Sequence, residues 1–133
     1  LAMSRENRIL AGLFSSGYTS VMDELRDAAS RDYHLPYFPL LPLVRFLTDH
    51  RAGIKLEEVR PIDVIASISP RPLQIFHCDR DDYVDSSHGR RLFEKAGEPR
   101  DLWLASCARH ERVWNEHPEE SEKRAVDFFQ KYL

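Results

Sequence analysis

Leu73-Gln74-Ile75-Phe76-His77, followed at once by Cys78-Asp79-Arg80-Asp81-Asp82-Tyr83-Val84-Asp85, is the stretch on which the fold turns. Its first five residues form a short, mainly apolar run that reads as a buried strand, and the acidic residues after it read as the loop at its exit. Ser69-Pro70-Arg71-Pro72 in front forces an extended approach. Beyond the loop, Ser86 or Ser87 is placed to cap a helix whose apolar positions are Leu92, Phe93 and Ala96. Gly97 is expected to end that helix in a left-handed conformation, with Pro99 preventing its return. Leu102-Trp103-Leu104-Ala105 reads as a further strand, opening into Ser106-Cys107-Ala108-Arg109-His110-Glu111.

The same reasoning extends to both ends of the chain. Arg8 to Phe14 is a nearly continuous apolar run closed by Ser15, Ser16 and Gly17, the pattern of another parallel strand. From Ser20 the period changes: Val21, Met22, Leu25, Ala28 and Ala29 share one helical face, and Ser20 with Asp23 can act as a capping box, giving a helix over about 20–29. Residues 33–50 mix Tyr33, Tyr37 and Phe38 with three prolines, so regular structure is expected to be broken until Pro42 starts a turn or two of helix. Pro61 opens a short helix through Ile68, with a strand nearly as defensible. Pro118 starts a last helix with Glu119, Glu120 and Glu122 near its positive end, and Ala125, Phe128, Phe129 and Tyr132 are expected to be its buried face. Strands alternating with helices call for an α/β fold: three parallel strands, right-handed crossovers and helices on both faces. In such sheets the exits of the strands share one rim, so the loops after residues 14, 77 and 105 are where chemistry belongs.

Composition narrows the function. The 133 residues allow one domain, with 42% hydrophobic and 31% charged side chains, which excludes disorder. A net charge of −3 leaves no footprint for nucleic acid. The longest apolar stretch, Leu35 to Val44, has ten residues and three prolines, against the roughly 20 needed to span a bilayer. Two cysteines are too few for a disulfide framework or a zinc site; two reduced thiols, a reducing compartment and a cytoplasmic address are the expectation. Leu1 is not a natural initiator, and residues ahead of it are expected.

Asp81 and His110 stand 29 residues apart, one helix-plus-strand unit, at the exits of neighbouring strands. Parallel strands under about 5 Å apart can bring a carboxylate from one loop against an imidazole from the next, orienting its tautomer and stabilising its protonated form. Singly, Asp81 reads as a turn residue among Asp79, Asp82 and Asp85, and His110 as a surface histidine. His34, His50, His77, His88 and His117 show no comparable partner pattern and read as structural or exposed. Asp79 and Asp81 after a strand also suggest the paired aspartates of haloacid dehalogenase-type phosphatases, but Tyr83 stands where a threonine or valine belongs. A calcium loop lacks its glycine near Val84 and an oxygen ligand near Tyr83, and no cofactor motif is present.

The chain resembles the α/β-hydrolases, in particular small esterase-like and peptidase-like members. The resemblance rests on Ile62-Asp63 through Leu73, on His77 to Val84, on Leu92-Phe93-Glu94-Lys95-Ala96-Gly97-Glu98-Pro99-Arg100-Asp101-Leu102, and on His110, Pro118-Glu119-Glu120 and the final helix. It implies the carboxyl-terminal part of such a domain over 1–133, with Asp81 as the triad acid, His110 as the triad histidine, and 33–50 in a place where the family often carries a small cap. Cys78 replaces the glycine usual after the histidine of the acid loop, and Ser106-Cys107-Ala108-Arg109 replaces a glycine-rich turn. No Gly-x-Ser-x-Gly elbow exists, since in Gly12-Leu13-Phe14-Ser15-Ser16-Gly17 neither serine stands two residues from both glycines. The resemblance therefore implies a serine hydrolase acting on a small ester or peptide in a longer protein, with these residues inactive alone. The competing reading is a degenerate, non-catalytic module that associates with itself or another chain through an open strand edge.

Overall fold

The computed structural model describes residues 1–133 and holds one parallel sheet of three strands, β1 (Gly12–Ser15), β2 (Leu73–Cys78) and β3 (Arg100–Ala105), ordered β1-β2-β3. Gly12 stands opposite Leu73, Leu73 opposite Arg100, and Cys78 opposite Ala105. The helices are α1 (Ala2–Arg5), α2 (Val21–Tyr33), α3 (Leu40–Ala52), α4 (Pro61–Val64), α5 (Ser86–Lys95), α6 (Val113–Glu116) and α7 (Pro118–Tyr132). None is long and apolar enough to cross a membrane.

The central strand β2 is buried along its whole length, and the two-residue period of a strand sends its side chains into two separate cores. Leu73 and Ile75 pack with Met3, Ile65, Ile68, Leu92 and Ala96 on the face covered by α4 and α5. Phe76 and Cys78 pack with Ala105, Cys107 and Val113 on the opposite face, beneath α6. Arg124 of α7 lies over the Trp103 ring on that second face, 4.8 Å from its centroid. This is the expected parallel sheet with helices on both sides.

Several local expectations need correction. β1 begins at Gly12, not Arg8, because the Arg71 guanidinium takes the carbonyls of Met3, Glu6 and Ile9 and holds that stretch as a turn. Helix α2 continues to Tyr33, where His34 adopts a left-handed conformation (φ 53°) and the Leu35 N–H returns to the Ala29 carbonyl at 3.0 Å. Helix α3 starts at Leu40 rather than Pro42, since a proline in the first turn gives up only an N–H that has no helical partner anyway. Residues 61–68 are helical throughout, as α4 and a 3-10 turn over Ile65–Ile68.

Asp85, not Ser86 or Ser87, caps α5, accepting the Ser87 N–H at 2.9 Å. That helix closes at Ala96 in an extended conformation (φ −63°, ψ 144°), so Gly97 is not its left-handed terminator. Its lack of a side chain serves close packing: a Cβ there would lie 2.6 Å from the Ser69 Cβ. On α7 only Phe128 of the expected apolar face is buried; Phe129 is 36% exposed. Residues 113–116, between the third strand and the last helix, form the additional short helix α6.

The expectation of two reduced thiols is overturned. Cys78 and Cys107 form a disulfide with Cα atoms 4.9 Å apart, inside the usual range of about 4.4 to 6.8 Å. Cys78 ends β2 opposite Ala105, and a turn in which the Cys107 N–H bonds the Ala105 carbonyl at 2.9 Å folds Cys107 back over it. The reducing, cytoplasmic address rested on free thiols and loses that support.

Candidate functional site

The exits of β1, β2 and β3 meet at one rim. Two backbone bonds join the acid loop to the end of β3: Asp79 N–H to the Ala105 carbonyl at 2.8 Å and Arg80 N–H to the Cys107 carbonyl at 3.1 Å. The exit of β1 is joined through Ser16, whose Oγ accepts the Glu111 N–H at 3.3 Å. Ser16 (φ 49°) and Glu111 (φ 56°) both take the left-handed region that non-glycine residues rarely enter. Strain of this kind collects where surrounding structure dictates the backbone path.

Asp81 is fixed first by its own loop. Its Oδ1 accepts the N–H groups of Tyr83 and Val84, each at 2.9 Å, which is the turn-forming habit of an aspartate. The remaining oxygen, Oδ2, lies 3.0 Å from Nδ1 of His110. Asp82 acts from the same loop on the other partner, with Oδ1 accepting the His110 backbone N–H at 3.0 Å. Tyr83 packs beside the imidazole, ring centres 5.2 Å apart. Arg31 at the end of α2 donates to the Tyr83 carbonyl at 2.7 Å and so braces the acid loop from the helix side.

A carboxylate only accepts hydrogen bonds, so in the neutral ring it is Nδ1 of His110 that carries the proton and Nε2 that keeps a free lone pair. The Asp81 side chain is fully buried, whereas that of His110 is 29% exposed. The arrangement is that of an oriented base: a hidden carboxylate holds the ring and can stabilise its protonated form, and the basic nitrogen is left for an outside group.

His77 supports this loop from beneath. Fully buried, it donates from Nε2 to the Val84 carbonyl at 2.9 Å, with Asp81 Oδ2 at 3.6 Å. Burial holds its pKa below the ordinary histidine value, more strongly than the Val84 carbonyl and Asp81 raise it, so the ring is neutral and serves as a hydrogen-bonded strut. Gly89 is required beside it, because a Cβ would stand 2.8 Å from His77 Nδ1.

A second histidine cluster lies where none is expected. His88 of α5 accepts the Thr19 N–H at Nδ1 (3.2 Å), which leaves the ring proton on Nε2 for Asp27 Oδ2 at 3.1 Å. Thr19 Oγ1 sits 2.8 Å from the same Nδ1, and Glu24 Oε2 lies 3.7 Å from Nε2. Hydroxyl, imidazole and carboxylate stand in a row, but Thr19 and His88 are fully buried and no substrate reaches the hydroxyl. The cluster pins α5 to α2. Its sequence signal is the spacing of His88 four residues before Leu92, which turns the ring inward, and of Asp23, Glu24 and Asp27 along one side of α2.

Glu24 is the costly member. Neither of its carboxyl oxygens has a hydrogen-bond partner, and burial pushes its pKa up to about 7, with Asp27 and Asp81 adding to the rise and Arg31 and His110 opposing it.

No family model matches the chain. It is 33% identical over 97 residues to the uncharacterized protein YqkD of Bacillus subtilis (strain 168); the match takes in 73% of this chain but 32% of YqkD. Among solved structures it is similar to the α/β hydrolase GrgF from Penicillium sp. sh18 (TM-score 0.68, 20% identity, 98% of this chain and 58% of that one). It is equally similar to the Pyrococcus furiosus esterase Pf2001 (TM-score 0.69, 20% identity, 98% and 48%). The chain thus spans about a third of the curated relative and about half of each of these structures. Three parallel strands, the helices on their two faces and the loops at their shared rim together make this chain a partial α/β-hydrolase fold.

Proposed function

We propose that these residues supply the acid and the histidine of a serine hydrolase that transfers ester or peptide acyl groups to water, the serine and the oxyanion-hole amides coming from a preceding part of a longer protein. The observation that carries this reading is Asp81 Oδ2 at 3.0 Å from His110 Nδ1, with the carboxylate buried and the ring open to the rim. Nε2 of His110 takes the serine proton as the hydroxyl attacks the acyl carbon and returns it to the leaving group; Asp81 keeps Nδ1–H in place and stabilises the imidazolium between the two steps. Similarity to about half of two hydrolase structures supports a division of the machinery along the chain. The 133 residues alone, lacking a Gly-x-Ser-x-Gly elbow, do not turn over esters.

The test is labelling of the full-length protein with a fluorophosphonate. A labelled serine upstream of Leu1, lost in His110→Ala, supports the proposal; a labelled residue within 1–133, or no labelling and no esterase activity, overturns it.

One observation favours a second reading. β1 is paired on one side only, and beside it runs an apolar groove lined by Met3, Leu13, Tyr18, Pro61 and Val64. An unpaired parallel edge with apolar flanks invites association. In this reading the residues form a non-catalytic module that dimerises through β1, and sedimentation of the 133-residue chain as a monomer rules it out.

A further inference from the structure

Cys78 and Cys107, each standing in a loop where the resemblance leads one to expect glycine, are joined to each other. Their placement is symmetric about the site. Cys78 is three residues before Asp81 at the end of β2, and Cys107 is three residues before His110 just past β3. Both cysteines are buried, at 0% and 1% exposure, against Phe76, Ala105 and Val113.

Beyond the last rung of the β2–β3 ladder, each loop has few restraints on its position relative to the other. They are the two backbone bonds from Asp79 and Arg80, the Asp82 bond to the His110 N–H, the packing of Tyr83 beside the His110 ring, and the contact between Asp81 and His110 itself. Asp82 and His110 are at the solvent-facing side of the rim, where water competes for such bonds. The disulfide is the one covalent tie between the two loops, three residues before each member of the pair.

We propose that the Cys78–Cys107 disulfide is a positioning cross-link for the Asp81–His110 pair, and that its reduction by a dithiol uncouples the two side chains. The inference rests on the functional reading above for its catalytic consequence, though not for its structural one. In the reduction, two electrons and two protons pass from the dithiol to Sγ of Cys78 and Sγ of Cys107. The S–S bond breaks, two thiols form, and the dithiol leaves as a cyclic disulfide. Because both sulfurs are buried, the 106–111 loop must open before a thiolate attacks, and reduction is slow in the folded protein.

The experiment compares the full-length protein in its oxidised state, after dithiothreitol, and as Cys78→Ser/Cys107→Ser. Proton NMR with ring-labelled histidine follows the Nδ1–H resonance of His110, assigned by its loss in His110→Ala, and kcat and KM are measured on a short-chain nitrophenyl ester. In the oxidised protein, peptide mapping without reductant finds Cys78 joined to Cys107, and the resonance is sharp. Reduction or substitution broadens it into exchange with water and lowers kcat about 10- to 100-fold with KM unchanged, the loss expected when a reacting group is misplaced by about 1 Å. A merely stabilising disulfide moves the melting temperature and neither of these readouts.

Free Cys78 and Cys107 thiols in the native protein overturn the proposal. So does a His110 resonance and kcat indifferent to reduction, an outcome that leaves the Asp81–His110 pair intact. Absence of the resonance in every state removes the pair itself and overturns both readings. Should the double serine variant fail to fold, the reduced wild-type protein carries the same comparison.

Discussion

Two histidines of this molecule meet an aspartate at nearly the same distance, and their environments are inverted. At the rim, His110 lies 3.0 Å from Asp81, with the carboxylate side chain fully buried and the ring 29% exposed. Between α2 and α5, His88 lies 3.1 Å from Asp27, with the ring 1% exposed and the carboxylate 47% exposed. The contact is the same, but only the first leaves a basic nitrogen for another molecule. In the second, both ring nitrogens are consumed by Thr19 and Asp27, and the hydrogen bonds serve to hold two helices together. An imidazole–carboxylate pair is therefore a candidate for chemistry only when the ring is the member left open.

The comparison breaks first if the two histidines respond alike to removal. On the proposed function, His110→Ala in the full-length protein is expected to lower kcat by about 10⁶-fold, as loss of a catalytic histidine does, while costing about 1 kcal/mol because the buried Asp81 carboxylate loses a partner. His88→Ala is expected to do the reverse, leaving kcat of the folded fraction unchanged and costing about 2 to 4 kcal/mol, since Thr19 and Asp27 lose a buried partner. Ester kinetics and urea unfolding on both variants decide this. Equal losses of activity would mean that the buried cluster belongs to the site.

The disulfide gives the next largest effect. It closes a loop of 29 residues, and its removal in Cys78→Ser/Cys107→Ser is expected to cost about 3 to 4 kcal/mol on the chain-entropy account, read as a lower urea midpoint.

Glu24 sharpens the comparison from the buried side. Its folded pKa, about 7, lies above its ordinary value of 4.5, so the folded state binds the extra proton. Its protonated form is fully compatible with folding below about pH 4.5, and stability is lost as pH rises toward 7 and beyond. Glu24→Gln removes that loss, and the variant is expected to exceed the wild type by about 1 to 3 kcal/mol at pH 8 and by almost nothing at pH 4.5. His77, with its lowered pKa, works the other way, contributing stability above its ordinary value of 6.5 that is lost on acidification, and it cancels in the difference between the two proteins. Urea titrations at both pH values measure it.

The smallest effect belongs to Arg31→Ala. It removes the 2.7 Å bond to the Tyr83 carbonyl at a half-exposed position and is expected to cost under about 1 kcal/mol, with a modest fall in kcat.

Much of this was legible in the residues. The apolar runs ending at Phe14, His77 and Ala105 mark the three strands, although only the central one is buried along its length; β1 and β3 are mostly half-buried. Asp81 and His110 were legible because parallel strands put their exits at one end of the sheet. The start of α3 at Leu40 rather than Pro42 follows from a local rule, the tolerance of proline in a first turn, but the limits at Arg8 and Gly97 were not legible, because each depends on a distant group. Arg71 draws in the Met3–Ile9 carbonyls, and Ser69 crowds Gly97. The His88 cluster was hidden for the same reason, its partners lying 61 to 69 residues away.

Periodicity and chain order alone determined the α/β class, the parallel sheet and the loops that hold Asp81 and His110, because these follow from local geometry and the right-handed crossover. The tertiary structure decided which histidine is open and which is sealed, that Cys78 and Cys107 are bonded, and that Glu24 lacks a hydrogen-bond partner. Burial and contact are properties of surfaces brought together from distant parts of the chain, and no stretch of sequence carries them by itself.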